Sequence, residues 1–324
     1  MKINEAVLAT EKENIRTFLA EYDLKYDDDI DYTAYIAEDD KIIATASISG
    51  DIIKAVAIAP DYRGRNLAGR LISHVIGVLN QKNINHYKLY TKPENKAVFT
   101  NLSFCEIVST EKVTLMESKN KRIRDVLLNI KKEYRLPDVP AAALVMNCNP
   151  FTKGHRYLIE TAAQRHPAVL VFVVTEDRSY FPFADRFRLV RAGTADLINV
   201  YVLPSSEYLV SKLTFPTYFL KKEYPQTEEE ARLDALIFKK YFIDVFRIEK
   251  RYLGSETDSV TLKYNHELQA VLGDLVTIVP RLLIDGKPVS ASTVRALYQK
   301  KEFVQIAKLV PAPTLVYLKK RCKS

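Results

Sequence analysis

The chain reads as two stretches with different patterning. In the first, residues 41–49 and 52–60 are extended apolar-rich runs joined at Gly50-Asp51, a hairpin signal, with Ile42, Ala44, Ala46 and Ile48 expected on one face. From residue 67 the period lengthens. Leu67, Leu71, Val75 and Val78 follow helical spacing, as do Ala68, Ile72, Ile76 and Leu79, and Tyr87 to Thr91 returns to a strand pattern. Residues 119–136 suit a basic amphipathic helix, ended by Pro137 and Pro140, because each proline biases its predecessor away from helix. This places a domain boundary there, giving domains 1–136 and 137–324.

In the second stretch, short apolar runs alternate with helical patterns. Strands are predicted at 141–146, 168–174, 200–203, 251–253 and 275–279, and helices at 184–195, 227–246, 259–272 and 291–300, with a further helix opening near Gly154. Glu228, Glu229 and Glu230 fall in a first turn, where the helix dipole favours acids. Strands alternating with helices imply an α/β fold with a doubly wound, mostly parallel sheet.

At 324 residues, 47% apolar and 27% charged, the chain has the composition of a globular protein with a substantial core. The net charge of +8 suits a basic surface or attraction to anions such as nucleotide phosphates. The basic residues are dispersed and no nucleic-acid motif occurs, so no nucleic-acid partner is expected. Three scattered cysteines, Cys105, Cys148 and Cys322, form no disulfide framework and point to a reducing compartment. The N-terminus lacks the apolar stretch of a signal peptide, and no run could span a bilayer, so the expected location is cytoplasmic, with no membrane partner. His74, His86, His166 and His266 lack metal-ligand spacing, and no resident metal site is expected.

The most informative segment is 141–160, AAALVMNCNPFTKGHRYLIE: strand, tight loop, helix. The unpaired amides of such a helix start, at the carboxyl end of a strand, attract phosphate. Thr152, Gly154 and His155 add a hydroxyl, a side-chain-free approach and an imidazole. Near the end of the domain, Val289-Ser290-Ala291-Ser292-Thr293-Val294-Arg295 opens another helix, with Ser290 able to cap it and Ser292 and Arg295 on one face. An in-line attack on an α-phosphorus needs donors where negative charge grows, which His155, Thr152 and Arg295 can supply. Arg186, Arg188 and Arg191 read as a solvated helix face, and Cys148 as a small apolar filler. The motifs of P-loop ATPases, dinucleotide dehydrogenases, zinc proteases and serine esterases are absent.

The two elements resemble the T/H-x-G-H and I-S-x-S-x-x-R signatures of the adenylyl- and cytidylyltransferase superfamily. NCNPFTKGHRYLIE, FPFADRFRLVRAGTADL, LTFPTYFLK and VSASTVR together resemble the citrate lyase ligases. In the first half, Arg63-Gly64-Arg65-Asn66-Leu67-Ala68 before a helix is similar to the pyrophosphate loop of GNAT acetyltransferases, and Pro93-Glu94-Asn95 through Phe104 to a later segment of that family. Asn66 stands where glycine is usual, so its side chain would crowd a phosphate there, and Ser103 replaces the usual glycine before Phe104.

The resemblance implies a GNAT-like α+β domain followed by a Rossmann-like nucleotidyltransferase domain. It implies ATP-dependent acetylation of the thiol on the CoA-like prosthetic group of the citrate lyase acyl-carrier subunit. Acetate would form an acetyl-adenylate, with AMP and pyrophosphate released and Mg²⁺ accompanying ATP. The ATP-binding set it implies is Asn147, Asn149, Pro150, Phe151, Thr152, Gly154, His155, Gly254, Glu256, Ser290, Ser292, Thr293 and Arg295. A CoA-like arm would meet Arg63, Gly64, Arg65, Asn66 and Ala68. Two alternatives stay open: an enzyme like pantetheine-phosphate adenylyltransferase, or a carrier-binding acyltransferase module with a vestigial ATP site.

Overall fold

The computed structural model describes residues 1–22, 24–119, 123–175, 179–209, 226–256 and 258–322. The LTFPTYFLK element, with Lys221 and Lys222, lies outside them. The chain forms two compact units, Met1–Arg122 with Ser211–Leu233, and Ile123–Val210 with Asp234–Ser324.

The first unit comprises β1 (Ile3–Glu5), α1 (Ala9–Ala20), β2 (Tyr32–Glu38), β3 (Lys41–Ser49), β4 (Ile52–Ile58), α2 (Leu67–Gln81), β5 (Lys88–Thr91), α3 (Lys96–Asn101), β6 (Phe104–Ser109) and β7 (Thr114–Ser118). The strands make one sheet, ordered β1-β2-β3-β4-β5-β7-β6. All neighbours are antiparallel except β4 and β5, whose parallel pairing covers only Ile52↔Lys88 and Ile53↔Leu89. The apolar stripe of α2 (Leu67, Leu71, Ile72, Val75, Leu79) packs on Ala44, Ala46, Ile48 and Leu89. On the opposite face, Ile15, Phe18 and Leu19 of α1 cover Ala55 and Ala57. Ile42 departs from the expected face. The β2–β3 register jumps from Ile36↔Ala44 to Ala37↔Ile42, and the extra residue turns Ile42 toward the α1 cluster.

The second unit opens with α4 (Ile123–Glu133), which buries Leu127 and Ile130. Lys131 in its last turn reaches Asp138 at 3.0 Å and the carbonyl of Val245 at 3.1 Å. This helix therefore groups with the second unit, which starts before the boundary expected at residue 137. Then follow β8 (Ala141–Met146), α5 (Lys153–Ala163), β9 (Ala168–Val173), α6 (Phe183–Gly193), β10 (Val200–Pro204), α7 (Gln226–Ile237), whose residues up to Leu233 belong to the first unit, α8 (Ile243–Phe246), β11 (Ile248–Gly254), α9 (Ser259–Leu272) and β12 (Val276–Val279). A small hairpin of β13 (Leu283–Ile284) and β14 (Lys287–Pro288) leads into α10 (Ala291–Gln299), α11 (Phe303–Leu309) and α12 (Ala312–Arg321). A π-helical turn, Phe238–Phe242, joins α7 to α8.

Five parallel strands run β10-β9-β8-β11-β12. The chain moves outward from β8 through β9 to β10, then crosses back to β11 on the other side. The order therefore reverses between β8 and β11, and the crevice beyond their carboxyl ends is where open α/β sheets take ligands. No helix among the described residues is long and apolar enough to cross a membrane.

Candidate active site

The loop after β8 enters α5 at the switch point, and its polar groups are largely engaged with the protein itself. Thr152, 1% exposed, caps α5 by accepting from the His155 N–H at 3.3 Å. In return, Nδ1 of His155 accepts from the Thr152 N–H at 3.1 Å and lies 2.9 Å from the Thr152 hydroxyl. A ring nitrogen that accepts a backbone N–H carries no proton of its own, so the proton of the neutral imidazole sits on Nε2. Nε2 has no hydrogen-bond partner among the described residues. Part of the imidazole surface stays open, yet packed protein surrounds the ring. That burial, and then the positive charge of Arg281, push its pKa down to about 4. His155 is therefore neutral near pH 7 and presents an N–H donor at Nε2. Thr152 orients this ring.

Phe151 is fully buried and stacks on the His155 ring, with centroids 6.0 Å apart and planes 11° apart. Pro150 and Cys148 are also buried, and burial pushes the Cys148 thiol upward, which suits its reading as filler. Oδ1 of Asn149 accepts from the Phe181 N–H at 3.0 Å, and Oδ1 of Asn147 from Arg186 at 2.8 Å. Asn149, Pro150 and Phe151, expected to meet nucleotide, also make contacts within the loop, and Asn147 is exposed.

Arg186 corrects another expectation. It lies on no solvated face but is 0% exposed. Its guanidinium donates to the carbonyls of Asn147 and Val174, both at 2.8 Å, and of Phe181 at 3.0 Å. It thereby binds together the ends of β8 and β9. Arg188 and Arg191 are exposed, as expected.

The second motif lies against the first. Ser290 caps α10, accepting from the Thr293 N–H at 3.1 Å, and its hydroxyl contacts those of Ser292 (3.0 Å) and Thr293 (2.8 Å). Arg295 donates from NH1 to the carbonyl of Asn149 at 2.5 Å, although 146 residues separate them. Gly154 meets the residue before Ser290: a β-carbon there would lie 3.2 Å from the Val289 carbonyl oxygen. Glycine at this position permits the two helix starts to approach.

Beside these turns is a cavity of about 560 Å³ lined by Glu256, Asp258, Thr261, Arg281, Lys287, Pro288, Ser290, Ser292 and Thr293. Glu256, Ser290, Ser292 and Thr293 were anticipated from sequence. Arg281 and Lys287 were not, although Arg281 follows a strand end on the ligand side of a parallel sheet, a position that could have signalled it. Gly254 ends β11, and its carbonyl accepts from the Asn265 side chain at 3.2 Å.

In the first unit, the loop before α2 has left-handed backbone at two positions, with φ of 80° at Gly64 and 54° at Asn66. Asn66 makes no capping bond, and its Oδ1 would lie 2.4 Å from a β-carbon at Gly69. The amide side chain thus covers the first turn of α2. Arg65 stacks on Tyr62, 4.7 Å from the ring centre, and the Tyr62 hydroxyl donates to Glu38 at 2.5 Å. Of the other histidines, His74 bonds Tyr32 at 2.8 Å and His166 bonds Tyr252 at 3.0 Å, in structural roles.

Residues 141–318 match the citrate lyase ligase C-terminal domain family, and residues 5–99 the acetyltransferase (GNAT) family. The [citrate [pro-3S]-lyase] ligase of Escherichia coli (strain K12) is 37% identical over 94% of this chain and 89% of its own length. The chain belongs to the citrate lyase ligase family. The Klebsiella pneumoniae ligase of the same name is 32% identical over 97% of this chain and 94% of its own, and that of Haemophilus influenzae is 34% identical over 94% of each. As a member of this family, the chain is a ligase with a GNAT-type first domain and an α/β second domain.

Proposed function

We propose that the protein uses ATP and acetate to acetylate a thiol on the CoA-like prosthetic group of the citrate lyase acyl-carrier subunit. A carboxylate oxygen of acetate attacks the α-phosphorus, the bond to the β-phosphate oxygen breaks, and pyrophosphate leaves. The thiol then attacks the acetyl carbonyl of the adenylate. AMP leaves and the thiol proton passes to solvent. His155, neutral and protonated on Nε2, donates to an oxygen of the reacting phosphate, while Thr152 and Phe151 hold the ring. Arg295 lies beside the same loop, and Ser290, Ser292 and Thr293 offer hydroxyls at a helix start. The observation that carries the reading is the meeting of two sequence-distant turns, Arg295 on the Asn149 carbonyl and Gly154 on Val289.

Mg²⁺ enters as part of the substrate, MgATP. Among the described residues no group of three or more His, Cys, Asp or Glu side chains could hold it. At the cavity, Glu256 is paired with Arg281, and Asp258 caps α9.

For the first domain, the proposed role is to receive the CoA-like arm at the Arg63–Ala68 loop, with Asn66 limiting how closely a phosphate can approach. The reducing interior of the cell is the proposed location, consistent with three free cysteines.

The test follows AMP and pyrophosphate from ATP plus acetate, with and without deacetylated citrate lyase. Stoichiometric free AMP and acetylated carrier support the reading. AMP retained in the product would establish the adenylyltransferase alternative. Absence of ATP binding by calorimetry would establish the vestigial site.

A further inference from the structure

We propose that Arg281 grips the pyrophosphate half of ATP and that Glu256 positions it for this task. The inference deepens the nucleotidyl-transfer reading and rests on it.

Arg281 follows the carboxyl end of β12, and the segment carrying it is joined to the loop after β11 at several points. The Ser255 N–H donates to the Val279 carbonyl at 2.8 Å, and the Arg281 N–H donates to the Ser255 hydroxyl at 3.1 Å. One guanidinium nitrogen, NH2, bonds the Glu256 carboxylate. Backbone and side chain are therefore fixed from the same three-residue loop, Gly254-Ser255-Glu256. The other two nitrogens, Nε and NH1, have no partner among the described residues. A guanidinium presents its donors in a planar fork that fits two phosphate oxygens at once. Using one corner of it for Glu256 leaves an edge for a ligand.

The cavity carries two cations and two carboxylates, but Glu256 is taken up by Arg281 and Asp258 caps α9, which leaves the donors of Arg281, Lys287 and the hydroxyls to meet an anion. Arg281 and Lys287 share the cavity wall with three hydroxyl residues at the start of α10. Its volume of about 560 Å³ lies within the usual range of small-molecule sites, roughly 300–1,000 Å³. The charge of Arg281 is also felt at the His155 ring, so the guanidinium and the imidazole act on neighbouring space. Glu256 offsets much of the attraction that a bare guanidinium would exert on any passing anion. What it provides is orientation, as expected where geometry at a leaving group matters more than raw affinity.

The test uses the full-length protein in two assays: the forward reaction, with inorganic pyrophosphate and AMP as product inhibitors, and the exchange of pyrophosphate into ATP in the presence of acetate. Arg281→Met is expected to weaken inhibition by pyrophosphate at least tenfold, a loss of about 1.4 kcal/mol. Inhibition by AMP should stay within about threefold of the parent, and the exchange rate should fall by about 10². Arg281→Lys, which keeps the charge and most of the packing, should lie between, and it supplies the reading if the methionine variant does not fold. Glu256→Ala should lower kcat about tenfold with little change in KM for ATP, and Glu256→Gln, which keeps an acceptor, should recover most of the loss. Unchanged pyrophosphate inhibition in a folded Arg281 variant, or equal weakening for AMP and pyrophosphate, would overturn the inference. His155→Ala separates the two levels. If it abolishes exchange while the Arg281 variants do not, only the present inference falls; if it too leaves exchange intact, the nucleotidyl-transfer reading falls with it.

Discussion

Gly193 and Phe151 approach more closely than any β-carbon would permit. A methyl at Gly193, in the last turn of α6, would lie 2.5 Å from Cε1 and 2.8 Å from Cδ1 of the Phe151 ring. That ring is fully buried and stacks on His155. Gly193→Ala is therefore expected to displace Phe151 toward the imidazole. Overpacking of this kind costs about 1–3 kcal/mol. Urea unfolding should show that loss, together with a fall in kcat larger than any change in KM for ATP. A variant of parental stability and activity would show that the ring has room to yield.

The His155 side chain should be the most sensitive single position for the first half-reaction. Removing one donor aimed at a developing oxyanion typically costs about 10²–10³ in rate. His155→Ala should lose that much acetate-dependent pyrophosphate release while keeping its circular dichroism. Near-normal release would mean that Nε2 does not serve the reacting phosphate.

The depressed pKa of His155 has a definite sign. An unfolded imidazole takes up its proton near pH 6.5, the folded one near 4. Between these values the unfolded state binds more protons, so stability is full above about pH 6.5 and declines as pH falls toward 4. His155→Gln should flatten that part of the stability profile. In the folded protein, a titration of the ring followed by NMR should show its midpoint near 4, and a midpoint near 6.5 would contradict the burial described.

Arg186→Met keeps the aliphatic stem but removes the donors serving Asn147, Val174 and Phe181. A buried acceptor left without a donor costs about 1–3 kcal/mol. A loss of about 3 kcal/mol or more is expected in urea unfolding, with hydrogen exchange accelerated at the ends of β8 and β9. A loss below about 1 kcal/mol would show that other donors take over.

Asn66→Gly uncovers the first turn of α2 and retains a residue suited to φ of 54°. Coenzyme A should bind this variant more tightly than the parent in calorimetry. Unchanged or weaker binding would remove the Asn66 amide as the feature that limits the loop.

The elements visible in sequence were those that local physics defines. Ala141–Met146 is a short apolar run buried between neighbouring strands, and Thr152 and Ser290 cap the helices they precede, so both motif turns could be read directly. Ile42 could not, because the bulge that turns it over depends on the partner strand. Arg186 was obscured by being grouped with Arg188 and Arg191, although its spacing, two residues before Arg188 and three and four before Leu189 and Val190, places it on the apolar face. Leu189 and Val190, buried beside it, turn that part of α6 inward, and the strand-end carbonyls supply what its charge needs. Glu229 followed the dipole rule yet is buried, accepting from Thr110 at 2.7 Å and bonding Arg232 at 3.1 Å, and Glu230, beyond the first turn, is buried as well.

At the site, the residue types were legible and their duties were not. Thr152 and Asn149 looked like ligand contacts because polar loop residues at a helix start often are. Both also hydrogen-bond within the protein, to His155 and, through the Asn149 side chain, to Phe181, and no spacing in the sequence announces those bonds. Arg281 carried no motif, and its only signal was its place just after a strand of the parallel sheet; its pairing with Glu256 depends on β12 lying beside β11.

The bond from Arg295 to the Asn149 carbonyl, with Gly154 against Val289, ties one rim of the crevice to the other through the protein's own contacts. Little binding free energy need be diverted to folding one rim of the crevice onto the other, so more of it remains to discriminate the reacting phosphate from its ground state.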